Sequence, residues 1–251
     1  MSTRDTLFSL VHSFGATTAE SLKNYLAQSF HAEDIPVERP KSTKIDKWAG
    51  KFKPLLSDNE RLSRFCNLLS QEHIDLDELR KLSFSGIPEE LRGLVWKLLL
   101  GYLPADKSKQ AETIRRKRND YFSLIQSIYP NLIDGKPMKD NELWNQIHVD
   151  VIRTFPIGLE GFCEVEEVQG LLCRVLYVYS VKHQKGNYWQ GLNEIPVPFL
   201  LAFTAFYTDC TLRQLSHLSD KSLKLAFASQ SIEADVYWCV TAFVDRLQQN
   251  G

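Results

Sequence analysis

The sequence predicts an all-α protein, on two observations. From Lys44 onward apolar residues recur at three- and four-residue spacing almost without interruption, and no alternating run is long enough to define a strand. No repeat period or low-complexity tract is visible. The 251 residues, 43% hydrophobic and 24% charged, supply a core for one large domain or two small ones. That composition sets aside collagenous, disordered and disulfide-scaffold classes. Thirty Lys and Arg against 31 Asp and Glu leave a net charge of −1, so no global field exists to hold nucleic acid or an anionic membrane. Cys66, Cys163, Cys173, Cys210 and Cys239 form no CxxC pair, and their odd number fits a reducing, cytosolic setting. The start of the chain, with Arg4 and Asp5 beside a short broken apolar run, does not read as a secretory signal.

Residues 1–44 read as a partly ordered extension. Gly15, Thr17, Thr18, Pro36, Pro40, Ser42 and Thr43 punctuate it, and one short helix is expected at 19–30, where Leu22, Leu26 and Phe30 share a side. A helix is then expected to start at Pro88: Gly86 supplies a bend, Pro88 suits the first helical position, and Glu89 and Glu90 sit at the positive end of the dipole. Leu91, Leu94, Val95, Leu98, Leu99 and Tyr102 carry it, Trp96 and Leu100 widen its apolar arc, and Pro104 ends it.

A second helix is expected over 107–129, with Ile114, Tyr121, Ile125 and Ile128 on one stripe. Lys107, Lys109, Arg115, Arg116, Lys117 and Arg118 crowd its first half, and on an amphipathic helix they read as a solvated face. Further helices are expected over 165–182, through Val165, Val168, Leu172, Val175 and Tyr179, and over 231–248, through Val236, Trp238, Cys239, Ala242, Phe243 and Leu247. The longest apolar stretch, 195–206, contains Pro196 and Pro198 and has 12 residues. A membrane span needs about 20, so it reads as a buried helix.

Common catalytic frames are absent from the sequence: GxSxG, HExxH, GxxxxGK[ST] and GxGxxG do not occur, and the six His are scattered. Two segments stand out. In 147–156 a helix runs into a loop stopped by Pro156, with Asp150 three residues before Arg153, where it could orient or partner that guanidinium. In 186–194, Gly186, Asn187, Gln190 and Gly191 lie among Tyr188 and Trp189 between two apolar helices. Taken singly, each reads as a structural turn.

Together with SGIPEELRGLVWKLLLGYLP, these segments resemble the TBC family of Rab GTPase-activating proteins. The matching residues are Gly86, Ile87, Pro88, Arg92 and Trp96, then Ile147, Asp150 and Arg153, then Tyr188, Gln190 and Gly191, in the family's order. Segment 232–239, with Glu233, Asp235, Tyr237 and Trp238, is similar to a family helix rich in acidic and aromatic residues. The chain departs from the pattern at Gln184, where Pro is usual, at Asn187, where Gly is usual, at Trp189, which replaces a smaller aliphatic residue, and at Glu194, where Asp is usual.

The resemblance implies a TBC-like helical domain over 45–251, C-terminally incomplete and holding the part that carries the site. It implies that Arg153 is an arginine finger and Gln190 a glutamine finger, both given in trans to a Rab-family small GTPase. Asp150, Tyr188, Gly191 and Asn193 would support them, with Asp150 positioning Arg153, while Gly86, Ile87, Pro88, Arg92 and Trp96 would hold the fold. On this reading the protein is a GTPase activator without an independent active site, metal or cofactor, since GTP and Mg²⁺ belong to the partner. It would regulate vesicle trafficking from the cytoplasm, reaching endomembranes only through its Rab and binding no nucleic acid. The alternative is a non-catalytic TBC-fold binding module or scaffold.

Overall fold

The computed structural model describes residues 58–128, 142–154, 159–183, 188–208, 211–215, 227 and 231–249. The extension 1–44, its expected helix at 19–30, Cys210 and the departures at Gln184 and Asn187 lie outside the described residues. Helices α1 (Asp58–Ser70), α2 (Leu76–Ser83), α3 (Arg92–Leu99), α4 (Gln110–Ile128), α5 (Glu142–Val151), α6 (Glu160–Cys163), α7 (Glu166–Lys182), α8 (Pro196–Thr208), α9 (Leu212–Leu215) and α10 (Ser231–Gln249) follow one another, with 3₁₀ turns at Glu89–Leu91, Lys107–Lys109 and Leu192–Glu194. Among the described residues the only β-type pairing is one bridge between His73 and Asp106, so the all-α expectation holds.

The helix expected from Pro88 starts later. Pro88 is extended (ψ 139°) and caps a 3₁₀ turn, and the α-helix begins at Arg92. It ends at Leu99, ahead of the expected Tyr102, because Gly101 takes a left-handed φ of 75°, a conformation that stops a helix and suits glycine. Likewise, the Asp106 side chain accepts from the Ser108 N–H at 3.0 Å and sets a 3₁₀ turn before α4. The apolar stretch forms α8 with Pro196 at its first position, where no intrahelical N–H is lost.

Two apolar clusters share α3. Leu94, Val95 and Leu98 pack with Phe65 and Leu69 of α1 and Leu79 of α2, while Trp96 and Leu100 lean on the larger core of α4, α5, α7, α8 and α10. Gly93 lets α3 approach α8 closely: a Cβ there would lie 3.2 Å from the Phe203 ring and 3.5 Å from the Ala202 carbonyl oxygen.

Helix α10 is the centre of the larger core, packed on α8, α4 and α7. Its first turns are buried all round, from Ile232 to Tyr237, and Glu233 and Asp235 are buried with them. Buried carboxylates need partners, since an unpaired one costs several kcal/mol, roughly. Asp235 receives the Lys97 ammonium. It also accepts the Tyr102 hydroxyl at 2.6 Å, the Tyr207 hydroxyl at 2.6 Å, and Arg118 through Nε and Nη2 at 3.0 and 2.9 Å. Burial alone would raise the Asp235 pKa; the charges of Lys97 and Arg118 override it and hold the carboxyl well below the usual range. Glu233 accepts the Arg174 fork at 2.8 and 2.7 Å and the Tyr121 hydroxyl at 2.8 Å.

The solvated-face reading of the basic run therefore holds only in part. Arg115 and Arg116 are exposed, but Lys117 and Arg118 are half-buried against α10. The Lys117 ammonium lies 3.8 Å from the Trp238 ring centroid, and the Trp238 indole N–H donates to the Lys117 carbonyl at 2.6 Å.

Candidate functional site

The Asp150–Arg153 and Tyr188–Gln190 segments meet in space. Ile147 and Val151 are buried and lay α5 along α7. Beyond Val151 the helix tightens: the Arg153 N–H donates to the Asp150 carbonyl at 3.1 Å and the Thr154 N–H to the Val151 carbonyl at 3.0 Å. These i→i−3 bonds are a common way to close a helix end. Arg153 rides on this turn with its side chain exposed.

Across from it, Gln190 sits in a second tight turn. The Leu192 N–H donates to the Trp189 carbonyl at 3.1 Å, and the Glu194 N–H donates to the Gly191 carbonyl at 3.1 Å. Gly191 adopts φ 96°, which an L side chain rarely takes, so the turn that presents Gln190 depends on a glycine. Gln190 and its neighbour Trp189 are both exposed.

Two side-chain hydrogen bonds join the turns. The Tyr188 hydroxyl donates to Asp150 Oδ2 at 2.7 Å, and Asn193 Nδ2 donates to Thr154 Oγ1 at 2.8 Å. Thr154 in turn donates its hydroxyl to the Asp150 carbonyl at 2.9 Å. Asp150 and Thr154 flank Arg153, and Tyr188 and Asn193 flank Gln190. The result is a closed frame with one exposed polar side chain on each long edge. Thr154, Tyr188 and Asn193 are buried. Burial first, and then the hydrogen bond to Asp150, push the Tyr188 hydroxyl well above its ordinary pKa, so it remains a donor across the accessible pH range.

Among the described residues Arg153 has no ion pair, and the Asp150 carboxylate faces Tyr188. Asp150 reaches Arg153 through the backbone, at the carbonyl that receives the Arg153 N–H. Thr154 was not among the expected site residues; its signal was a hydroxyl immediately after the arginine at a helix end, a position where Ser and Thr bond back to the preceding turn.

The Gly86–Trp96 motif is divided. Gly86 (φ 103°) accepts the Arg61 guanidinium of α1 at its carbonyl, and Ile87 packs on the α1–α3 cluster. These two residues, with the extended Pro88, stand at the entry to α3. Trp96 meets Phe199 edge-on with centroids 5.3 Å apart, and the Arg92 guanidinium lies 6.0 Å from the Trp96 ring centroid. Arg92 and Trp96 also line a groove of about 280 Å³ with Glu194, Val197, Pro198 and Leu201. Glu194 follows Asn193 directly, so this groove adjoins the frame. Among the described residues no cluster of His, Cys, Asp or Glu is arranged to hold a metal, and no helix is long and apolar enough to cross a membrane.

The helical architecture is that of a known class. The RabGAP-TBC family, described as the Rab-GTPase-TBC domain, matches residues 89–250, and the chain belongs to that family. It is 36% identical over 193 residues to TBC1 domain family member 22A of Mus musculus, a match covering 77% of this chain and 36% of that protein. It is 32% identical over 194 residues to GTPase-activating protein GYP1 of Saccharomyces cerevisiae, covering 76% of this chain and 29% of that protein. The solved Ypt/Rab-GAP domain of Gyp1p superposes with a TM-score of 0.61 at 30% identity, covering 76% of this chain and 58% of the solved one. The chain thus spans about a third of the length of these full-length relatives.

Proposed function

We propose that this chain activates GTP hydrolysis by a Rab-class GTPase, contributing Arg153 and Gln190 to the partner's active site. The observation that carries the reading is the closed frame, which holds the turns of two exposed side chains side by side on a buried footing. Relatives whose names state GTPase activation, such as GYP1, support it.

Each side chain suits the chemistry. In the loose transition state of phosphoryl transfer, charge spreads over the phosphate oxygens. The planar, permanently charged guanidinium of Arg153 can meet two of them at once, which an ammonium cannot copy. The Gln190 amide can accept from the attacking water while donating to an oxygen, replacing the water-orienting group a GTPase ordinarily supplies. Asp150, Tyr188, Gly191 and Asn193 hold these two in place. GTP and Mg²⁺ arrive with the partner, and so does membrane contact: the protein works from the cytoplasm at endomembranes and thereby regulates vesicle trafficking.

Single-turnover GTP hydrolysis across a panel of Rab GTPases tests this. The wild-type chain is expected to accelerate at least one of them. Arg153→Ala is expected to lose roughly 10³ to 10⁵ in rate, Arg153→Lys to recover little of it, and Gln190→Ala to be severely impaired. A panel with no accelerated member, or variants that match the wild type, refutes the proposal.

A further inference from the structure

We infer that Thr154 is a positioning residue that fixes Gln190 relative to Arg153, an inference that rests on the two-finger reading above. Thr154 is 1% exposed, and its hydroxyl is used twice. It donates to the Asp150 carbonyl at 2.9 Å and accepts from Asn193 Nδ2 at 2.8 Å. A hydroxyl combines one donor with acceptor lone pairs, so it can complete a relay from the Asn193 amide to the last turn of α5. Neither a methyl nor a carboxylate could serve both partners.

The geometry explains why this second link matters. The Tyr188–Asp150 bond joins the two turns at one end. A single link acts as a hinge, about which the Gln190 turn can rotate while remaining attached. The Asn193–Thr154 link closes the other end, beyond both exposed side chains, and removes that rotation. The Asp150 carbonyl also receives the Arg153 N–H at 3.1 Å. Thr154 therefore reports to the backbone atom that sets Arg153 as well as to the turn that sets Gln190.

Thr154→Val keeps the shape of the side chain and deletes both hydrogen bonds. The Asn193 amide, 8% exposed, then loses its acceptor and its turn is held only at Tyr188. Since a misplacement of ~1 Å can cost about 10²-fold in rate, the expected effect is a fall of that order in kcat. KM should stay unchanged, because Thr154 is buried and its replacement leaves the exposed surface as it was. A purely structural role would move stability and KM instead.

The test is GTP hydrolysis at varied protein concentration, using the Rab that responds most strongly to the wild-type chain, with far-UV circular dichroism of each variant. Thr154→Val is expected to lower kcat by ~10²-fold with KM retained, and Thr154→Ser to restore it. Asn193→Ala removes the same link from the opposite side and should reproduce the loss, which keeps the test decisive if Thr154→Val does not fold. In a Gln190→Ala background Thr154→Val should cost less, because one of the two groups whose relative position it sets is gone. A wild-type chain that accelerates no GTPase refutes the two-finger reading and this inference together. An active wild type whose folded Thr154→Val and Asn193→Ala variants keep full kcat, or a Thr154→Val effect undiminished in Gln190→Ala, overturns this inference alone.

Discussion

Replacing Asp235 with Asn changes one atom's chemistry at the centre of the domain. Asp235 is fully buried and accepts from Lys97, Arg118, Tyr102 and Tyr207. Lys97 and Arg118 can only donate, so an amide NH₂ would face N–H groups unless a Tyr hydroxyl turned to accept it. The deeper loss is charge: the Lys97 side chain is 0% exposed and that of Arg118 11%, and both would lose the carboxylate that neutralises them. Removing one partner from such a buried set costs about 3–5 kcal/mol, a large share of the ~5–15 kcal/mol that holds a domain together. At roughly 2–4 °C per kcal/mol for a domain of this size, the melting temperature should fall by about 6–20 °C. Lys97→Met should cost less, because Asp235 keeps Arg118 and two hydroxyls, and one expensive desolvation is removed. Urea titration at neutral pH, followed by far-UV circular dichroism, reads both variants. A loss under ~1 kcal/mol for Asp235→Asn, or a larger loss for Lys97→Met, would refute the reasoning.

Acid provides a second axis for the same variant. The folded pKa of Asp235 lies below its unfolded value, so its contribution is fully present above the unfolded value of about 4 and drains away as pH falls toward the folded one. The gap between wild type and Asp235→Asn should be constant from neutral pH to about 5 and narrow in stronger acid.

Two further substitutions test the local arguments. A Cβ on Gly191 would meet nothing within 4 Å, so Gly191→Ala should cost only the left-handed backbone penalty, about 1–2 kcal/mol; Gly191→Asn should cost less, and thermal melts giving the opposite order would contradict the turn argument. Glu233→Gln weakens the grip on Arg174, whose side chain is 23% exposed, and should cost about 1.5 kcal/mol in urea unfolding, the low end for a hydrogen bond to a charged group. An unchanged midpoint would mean that water already shares that pair.

The sequence revealed the helices through their spacing and the two turns through their punctuation. Ile114, Tyr121 and Ile125 lie on the buried stripe of α4 where periodicity put them, because a repeat of apolar residues is a property of one segment. Lys97, Lys117 and Arg118 were opaque for the complementary reason. A cation on a helix reads as solvated unless its counter-charge is known, and Asp235 lies 138 residues beyond Lys97. The clue lay in α10, where Glu233 and Asp235 interrupt an apolar stretch that has no solvated side for them. The site divides similarly. Arg153 and Gln190 could be marked from motifs, whereas the Thr154–Asn193 bond spans 39 residues and becomes visible only once α5 and α8 are in place.

The separations around α10 also bear on how the chain assembles during synthesis. Lys97, Arg118 and Arg174 emerge 138, 117 and 59 residues ahead of the carboxylates that neutralise them. At ~5–20 residues per second, Asp235 follows Lys97 by roughly 7 to 28 s. Until then Lys97 and Arg118 lack the carboxylate that neutralises them, so burying these two cations in the core is expected to wait for α10. The α1–α3 cluster needs no residue of α10, so the charged centre, and not that cluster, is the part expected to form late.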